Sequence, residues 1–246
     1  MNKKLMTTKN FRLPSLRRWG VCIMLLAAPL LLASSAHADT ISIGFQEPGV
    51  NSSMITTEAT GSGNVSVSGL SYGTFSVNDT SAQDFVVLGP PGQLNSQSLD
   101  ISTTAPGTLT IWVTAQGLSF TGAQNFVSSF AVNALSGSIV GVTENTYLSS
   151  TNALYGGTLL NSAVFNAIGT MGPFTTSGTT GGTYSVTEQY TIFDVGGTTG
   201  NDNLTIDLSA TPVVTTRTPE PASMFLLGSG LLALGAFVRR RKASKS

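Results

Sequence analysis

The sequence predicts an all-β body, a β-sandwich or jelly-roll-like ectodomain, from three observations. Apolar residues recur with a period of two, Thr and aromatic residues fill the alternating positions, and no stretch between residues 39 and 218 carries a convincing helical stripe. Residues 40–45 open the pattern, with Ile41, Ile43 and Phe45 alternating against Thr40, Ser42 and Gly44. Val65 and Val67 repeat it, and Tyr72, Thr74 and Ser76 oppose Gly73, Phe75 and Val77. Leu109, Ile111 and Val113 mark a strand within residues 108–120. Residues 123–135 are the one contested stretch, because Phe126, Phe130 and Ala134 are four apart. Phe126, Ser128, Phe130 and Val132 also share a strand face, and Val127-Ser128-Ser129 are poor helix formers, so the stretch reads as strand. Tyr184, Val186, Glu188, Tyr190 and Ile192 fall on one face of residues 183–195, and Leu204, Ile206 and Leu208 alternate with Thr205, Asp207 and Ser209. This spacing predicts ten to twelve short strands, whose apolar faces need a second sheet to cover them.

Gly89-Pro90-Pro91-Gly92, Gly156-Gly157, residues 177–182 and residues 196–200 read as turns or loops between strands. None separates two segments large enough to be independent domains. Residues 210–218, rich in Thr and Pro, read as an extended tether. Of the 179 residues from 40 to 218, 54 are Ser or Thr, a polarity that would suit disorder were the apolar period not so regular and the net charge so modest. Thr suits a half-wet strand, because its branched carbon packs while its hydroxyl meets water.

Charge is segregated. Of the chain's 12 Lys and Arg, all but Arg217 precede residue 20 or follow residue 238. Residues 39–216 hold acids but no Lys, Arg, His or Cys. That composition removes the imidazole of a Ser-His-Asp triad, the lysine of Ser-Lys chemistry, and the ligands of a Cys/His zinc site. It also removes the cations that phosphoryl transfer and nucleic-acid binding require. The fold must stand without a disulfide.

The two ends read as addresses. A basic stretch, the apolar run of residues 21–33 and the Ala36-His37-Ala38 site together predict a secretory signal peptide over residues 1–38, cut after Ala38 by signal peptidase following Sec-type export. Cys22 and His37, the only cysteine and histidine, leave with it. At the other end Pro219-Glu220-Pro221 leads into the uncharged residues 222–238, near the lower limit for a membrane-spanning helix. Arg239, Arg240, Arg241 and Lys242 follow as a stop-transfer cluster that stays cytoplasmic. Residues 39–216 are then the Ser/Thr/Gly-rich acidic ectodomain.

Pro219-Glu220-Pro221, a short apolar helix containing Gly228, Ser229 and Gly230, and a terminal Arg run, in that order over residues 217–246, resemble the PEP-CTERM sorting signal of Gram-negative bacteria. The resemblance implies recognition by an exosortase, with Pro219, Glu220 and Pro221 as the motif, and a place at the cell envelope, outer surface or extracellular matrix after transient anchorage in the inner membrane. Proteins of this class typically occur in bacteria that make exopolysaccharide and biofilm.

Three ligand chemistries remain for the body. Paired carboxylates could hydrolyse glycosides, and Glu47, Glu58, Glu144 and Glu188 are available. Without supporting Arg or His they read instead as solvated loop and face residues, and no enzymatic activity or metal is expected. Calcium needs only oxygen ligands; Asp79 and Asp84 bracket one turn, Asp194, Asp202 and Asp207 another. A Gly-Asn-Asp hairpin turn is the plainer reading of residues 197–205. Sugar would stack on aromatic rings, with Trp112, Tyr147, Tyr155, Tyr184 and Tyr190 as candidates. Core or cross-strand packing is the expected role of each, and Trp112 sits between Ile111 and Val113 where a core residue would lie if its face pointed inward. Asn51, Asn64, Asn78 and Asn203 stand in Asn-x-Ser/Thr sequons, which weigh little in a bacterium. The expectation is an exported envelope or matrix protein with a non-catalytic surface or adhesion role in biofilm or flocculation. The alternative is a carbohydrate- or calcium-binding module associated with exopolysaccharide.

Overall fold

The computed structural model describes residues 40–86, 92–103, 105–196 and 199–213, together with Gly228, Ser229 and Leu231. Ten strands follow in chain order: β1 (Thr40–Gln46), β2 (Thr56–Gly61), β3 (Asn64–Tyr72), β4 (Phe75–Val86), β5 (Gly92–Thr103), β6 (Gly107–Ser136), β7 (Ile139–Ser149), β8 (Thr158–Phe165), β9 (Gly169–Asp194) and β10 (Asn201–Pro212). All pair antiparallel in one sheet, ordered β3-β4-β5-β10-β6-β9-β7-β8, with β1 against β6 and β2 against β1.

That single sheet folds on itself into two layers, because β6 and β9 belong to both. The first half of β6 pairs with β1 on one side and the second half of β9 on the other. Its second half pairs with β10 and the first half of β9. The ribbon bends where the register shifts between Ala115 and Leu118, at Gly117 (φ 81°), a backbone conformation that glycine adopts without steric cost. Layer one is β2-β1-β6-β9-β7-β8; layer two is β3-β4-β5-β10-β6-β9. The all-β sandwich prediction therefore holds, with β-sheet closure through a shared ribbon.

The interior is where the alternation placed it. Ile41, Ile43, Phe45, Leu109, Ile111 and Val113 from layer one meet Val77, Ile101, Phe126, Phe130, Leu204 and Ile206 from layer two, each at most 2% exposed. Contacts between strands that do not pair show the layers touching: the Phe45 and Tyr72 rings lie 5.8 Å apart, and the Ser128 and Thr146 hydroxyls 2.8 Å apart.

Two boundaries differ from the sequence reading. Residues 177–182, expected as a break, lie inside β9; Gly178 is there for packing, since a Cβ would come within 2.9 Å of both Leu148 and Phe126. The expected tether begins later than residue 210, because β10 runs on to Pro212 against Gln124. The signal peptide (Ala36 and Ala38), the motif residues Pro219, Glu220 and Pro221, and the cluster Arg239, Arg240, Arg241 and Lys242 lie outside the described residues. So does most of the expected spanning helix, of which Gly228, Ser229 and Leu231 are helical. Among the described residues no helix is long and apolar enough to cross a membrane.

Candidate functional site

Because successive strand residues face opposite ways, burying Ile111 and Val113 turns Trp112 outward. Of the two expected roles, core and cross-strand packing, this removes the first and leaves packing across the sheet surface. Trp112 is half-buried on the outer face of layer one, where the register brings Gly44, Trp112, Gln189 and Asn145 into one row across β1, β6, β9 and β7. The next row is Ser42, Thr114, Thr187 and Tyr147.

Trp112 is flanked on both sides by tyrosines. The Tyr147 ring lies 6.1 Å from it at 34°, and the Tyr155 ring 6.3 Å at 51°. Amides fix the edges of this shelf. Trp112 Nε1 donates to Gln46 Oε1 at 3.3 Å, and Gln46 Nε2 donates to the Ser53 carbonyl at 2.8 Å. Gln189 Oε1 accepts from both Tyr147 Oη, at 2.8 Å, and Asn145 Nδ2, at 2.7 Å. Desolvation raises the pKa of both the Tyr147 and Tyr155 phenols, so they remain neutral donors at physiological pH.

Tyr155 reaches the shelf from the loop between β7 and β8, and its position is held at a cost. Its backbone is left-handed (φ 62°), a conformation that costs a non-glycine residue about 1–2 kcal/mol. The loop is pinned by Asn152, whose Oδ1 accepts from Gly117 N at 2.9 Å and whose carbonyl accepts from Gln116 Nε2 at 2.8 Å. Ser185 Oγ donates to the Ala153 carbonyl at 2.6 Å, and Tyr155 Oη and Thr57 Oγ1 are 2.7 Å apart. Gly44 makes room beneath, since a Cβ there would lie 2.5 Å from Tyr155 Oη. Strain over-determined by its surroundings is a common mark of a binding surface.

The other candidates are placed elsewhere. Tyr184 and Tyr190 are core residues, at most 1% exposed. Asp194 accepts from Ser138 Oγ at 2.7 Å and Gly196 N at 2.6 Å, Asp202 accepts from Ile101 N at 3.2 Å, and Asp207 from Asn95. Among the described residues no group of three or more His, Cys, Asp or Glu is placed to hold a metal ion.

The carboxylates expected to be solvated are mostly not. Glu58 is exposed, but Glu47 is buried and accepts from Thr74 N and Thr74 Oγ1, the latter at 2.7 Å. Glu144 and Glu188 are wholly buried between the layers, and none of their four carboxyl oxygens makes a hydrogen bond of normal geometry. Burial pushes Glu144 up to about 9, with the Ala131 backbone offsetting part and the Asp202 charge adding to it. Burial likewise raises Glu188 well above the carboxylate range, despite Ser96 beside it, and the Asp207 and Glu144 charges add to the rise. A polysaccharide cannot reach either group in this fold.

No curated protein matches the chain. Among solved structures it is similar to the C-terminal CBM6 of LamC, a marine laminarinase from Zobellia galactanivorans, at 14% identity and a TM-score of 0.20, over 58% of this chain and 98% of the other. At that TM-score the fold is read from this chain's own strands. Residues 217–242 match the PEP-CTERM protein-sorting motif, on the very residues whose order carried the resemblance. Residues 217–242 thus carry a PEP-CTERM protein-sorting motif, which marks an exported surface protein processed by an exosortase.

Proposed function

We propose that the sandwich is a non-catalytic, carbohydrate-binding adhesion module, holding extracellular polysaccharide on its Trp112 face and contributing to biofilm at the cell surface or in the matrix. The observation that supports this reading is the convergence of Trp112, Tyr147 and Tyr155 with the amides of Gln46, Asn145 and Gln189 on one half-buried sheet face. A pyranose offers an apolar C–H face to stack on a ring and hydroxyls at its rim to meet amides, which both donate and accept. The body has no cation to hold uronate or sulfate groups, so the glycan it suits is uncharged.

Titrating the host's neutral polysaccharide against tryptophan fluorescence tests this. Binding should quench Trp112, and Trp112→Ala, which lacks that fluorophore and is titrated by calorimetry beside the parent, should weaken affinity about tenfold or more, as truncating a central aromatic anchor does, while leaving the melting temperature near that of the parent. Equal affinity in the variant would sink the proposal. The sorting step is checked separately by mapping both termini of the native protein by mass spectrometry. The expected chain starts at Asp39 and ends near Pro219-Glu220-Pro221; an intact Arg239-to-Lys242 tail on all of the protein would contradict processing.

A further inference from the structure

We propose that two copies of this chain join through β8, edge to edge and antiparallel, into a two-fold dimer. β8 is an end strand whose ladder partner among the described residues is β7 alone, although Thr176 Oγ1 of β9 donates to its Leu160 carbonyl at 3.1 Å. Beyond Leu160 its outer edge has no ladder partner, and an unpaired strand edge is a template for another strand. Natural edges are usually blunted by charge, proline, a bulge or a covering segment. Elsewhere in this fold β2 carries the exposed Glu58, and the unpaired stretch of β9 contains Pro173. β8, with the sequence TLLNSAVF, has neither charge nor proline, and its one irregularity is the bulge at Leu160.

The apolar side chains agree. Leu159 is 51% exposed and Val164 57%, and Ile168 just beyond the strand is 64% exposed. Between Glu144 and Glu188 the sequence contains no charged residue at all.

The same charge distribution names the occupant. The body carries acids and no base over residues 39–216, so two copies repel across most of their surfaces. The neutral β8 edge is a place where they meet without that penalty. A basic partner would find no carboxylate there to recognise. An antiparallel strand edge is also complementary to itself about a two-fold axis normal to the sheet, the symmetry of an isologous dimer. Such pairing continues layer one of each copy into its partner and leaves both outer faces on the same side. The Trp112 shelves then lie side by side, since Leu159 of β8 pairs with Tyr147 of β7, a member of the shelf. The pairing itself does not depend on the sugar-binding reading.

Sedimentation of the full chain in detergent, with Cys22 replaced by Ser, tests the proposal. The expected result is a dimer, a dimer dissociation constant at least about tenfold weaker for Val164→Lys through an unpaired charge in the interface, and an unchanged melting temperature for that exposed site. Ser162→Cys, near the middle of β8, should form an intermolecular disulfide under mild oxidation, whereas Ser66→Cys on the exposed side of β3 should not. A monomer throughout, a Val164→Lys chain that associates like its parent, or equal cross-linking from both cysteines would each overturn the proposal. Association driven by the apolar residues 222–238 alone would survive Val164→Lys and is thereby told apart.

Discussion

Raising the pH from about 5 to about 9 lowers the melting temperature of the folded body, and replacing Glu144 and Glu188 together by Gln abolishes most of that fall. Both carboxyls are wholly buried between the layers and without normal hydrogen bonds, so the charged form is disfavoured there. The folded protein consequently keeps their protons to higher pH than the unfolded chain does. Stability from this source is fully present below the ordinary value of 4.5 and is lost progressively as pH rises through the folded value of Glu144, about 9. One pKa unit corresponds to about 1.4 kcal/mol, so this window is worth on the order of 5 kcal/mol, comparable with the whole stability of an ordinary domain. Glutamine has nearly the same shape and no proton to lose, so the double variant should be more stable than the parent at pH 8. A melting temperature that stayed flat or rose across this range in the parent would contradict the argument.

Tyr190→Phe should destabilise the body by about 3 kcal/mol in urea unfolding with an unchanged slope on denaturant. Tyr190 is wholly buried on β9, yet its hydroxyl reaches across the core into the other layer. It donates to the Ser96 carbonyl at 2.8 Å, accepts from Ile206 N at 3.0 Å and lies 2.7 Å from Ser96 Oγ. Ser96 and Ile206 face each other in the β5–β10 ladder, so one oxygen bolts layer one to a rung of layer two. Removing it leaves a buried N–H and a buried carbonyl without that partner, each costing about 1–3 kcal/mol. Burial, with the Glu188 and Glu144 charges beside it, raises the Tyr190 pKa well above normal, so the phenol stays neutral throughout the pH experiment. A loss below about 0.5 kcal/mol would mean the bolt carries no load.

What the sequence made legible follows from how local each property is. Alternation is local: Ile41, Ile43 and Phe45, or Leu204, Ile206 and Leu208, announced both strand and buried face, and all six are at most 1% exposed. The same period puts Glu188 on the face of Tyr184, Tyr190 and Ile192, which is where it lies, although a carboxylate by its charge alone belongs in solvent. Trp112 shows the converse, an apolar residue that alternation with Ile111 and Val113 turns outward, leaving cross-strand packing as its role. The shelf as a whole was beyond local reasoning. It requires the register of β1, β6, β9 and β7 and a loop held by Asn152, and these join residues far apart in the chain. Residues 108–120 and 123–135 were legible as strands, though not as one bent β6, because Gly117 and Gly122 look like punctuation in a sequence.

The membership of β6 in both layers makes the body a continuous load path. The chain leaves the sandwich at Val213, on its way to the sorting motif, while the aromatic shelf lies on layer one. Drag on a bound polymer, resisted at that exit, would pass along the covalent backbone of β6 into layer two. It would then cross to β10 through the rungs that pair residues 124–136 with residues 201–212. Because Pro212 pairs with Gln124, both strands are loaded at the same end of this ladder, and the rung between those two residues meets the force first. Lifetime under tension is governed by the rate of unfolding. A sandwich without a single disulfide thereby gains a mechanical tie between its sheets from one uninterrupted strand.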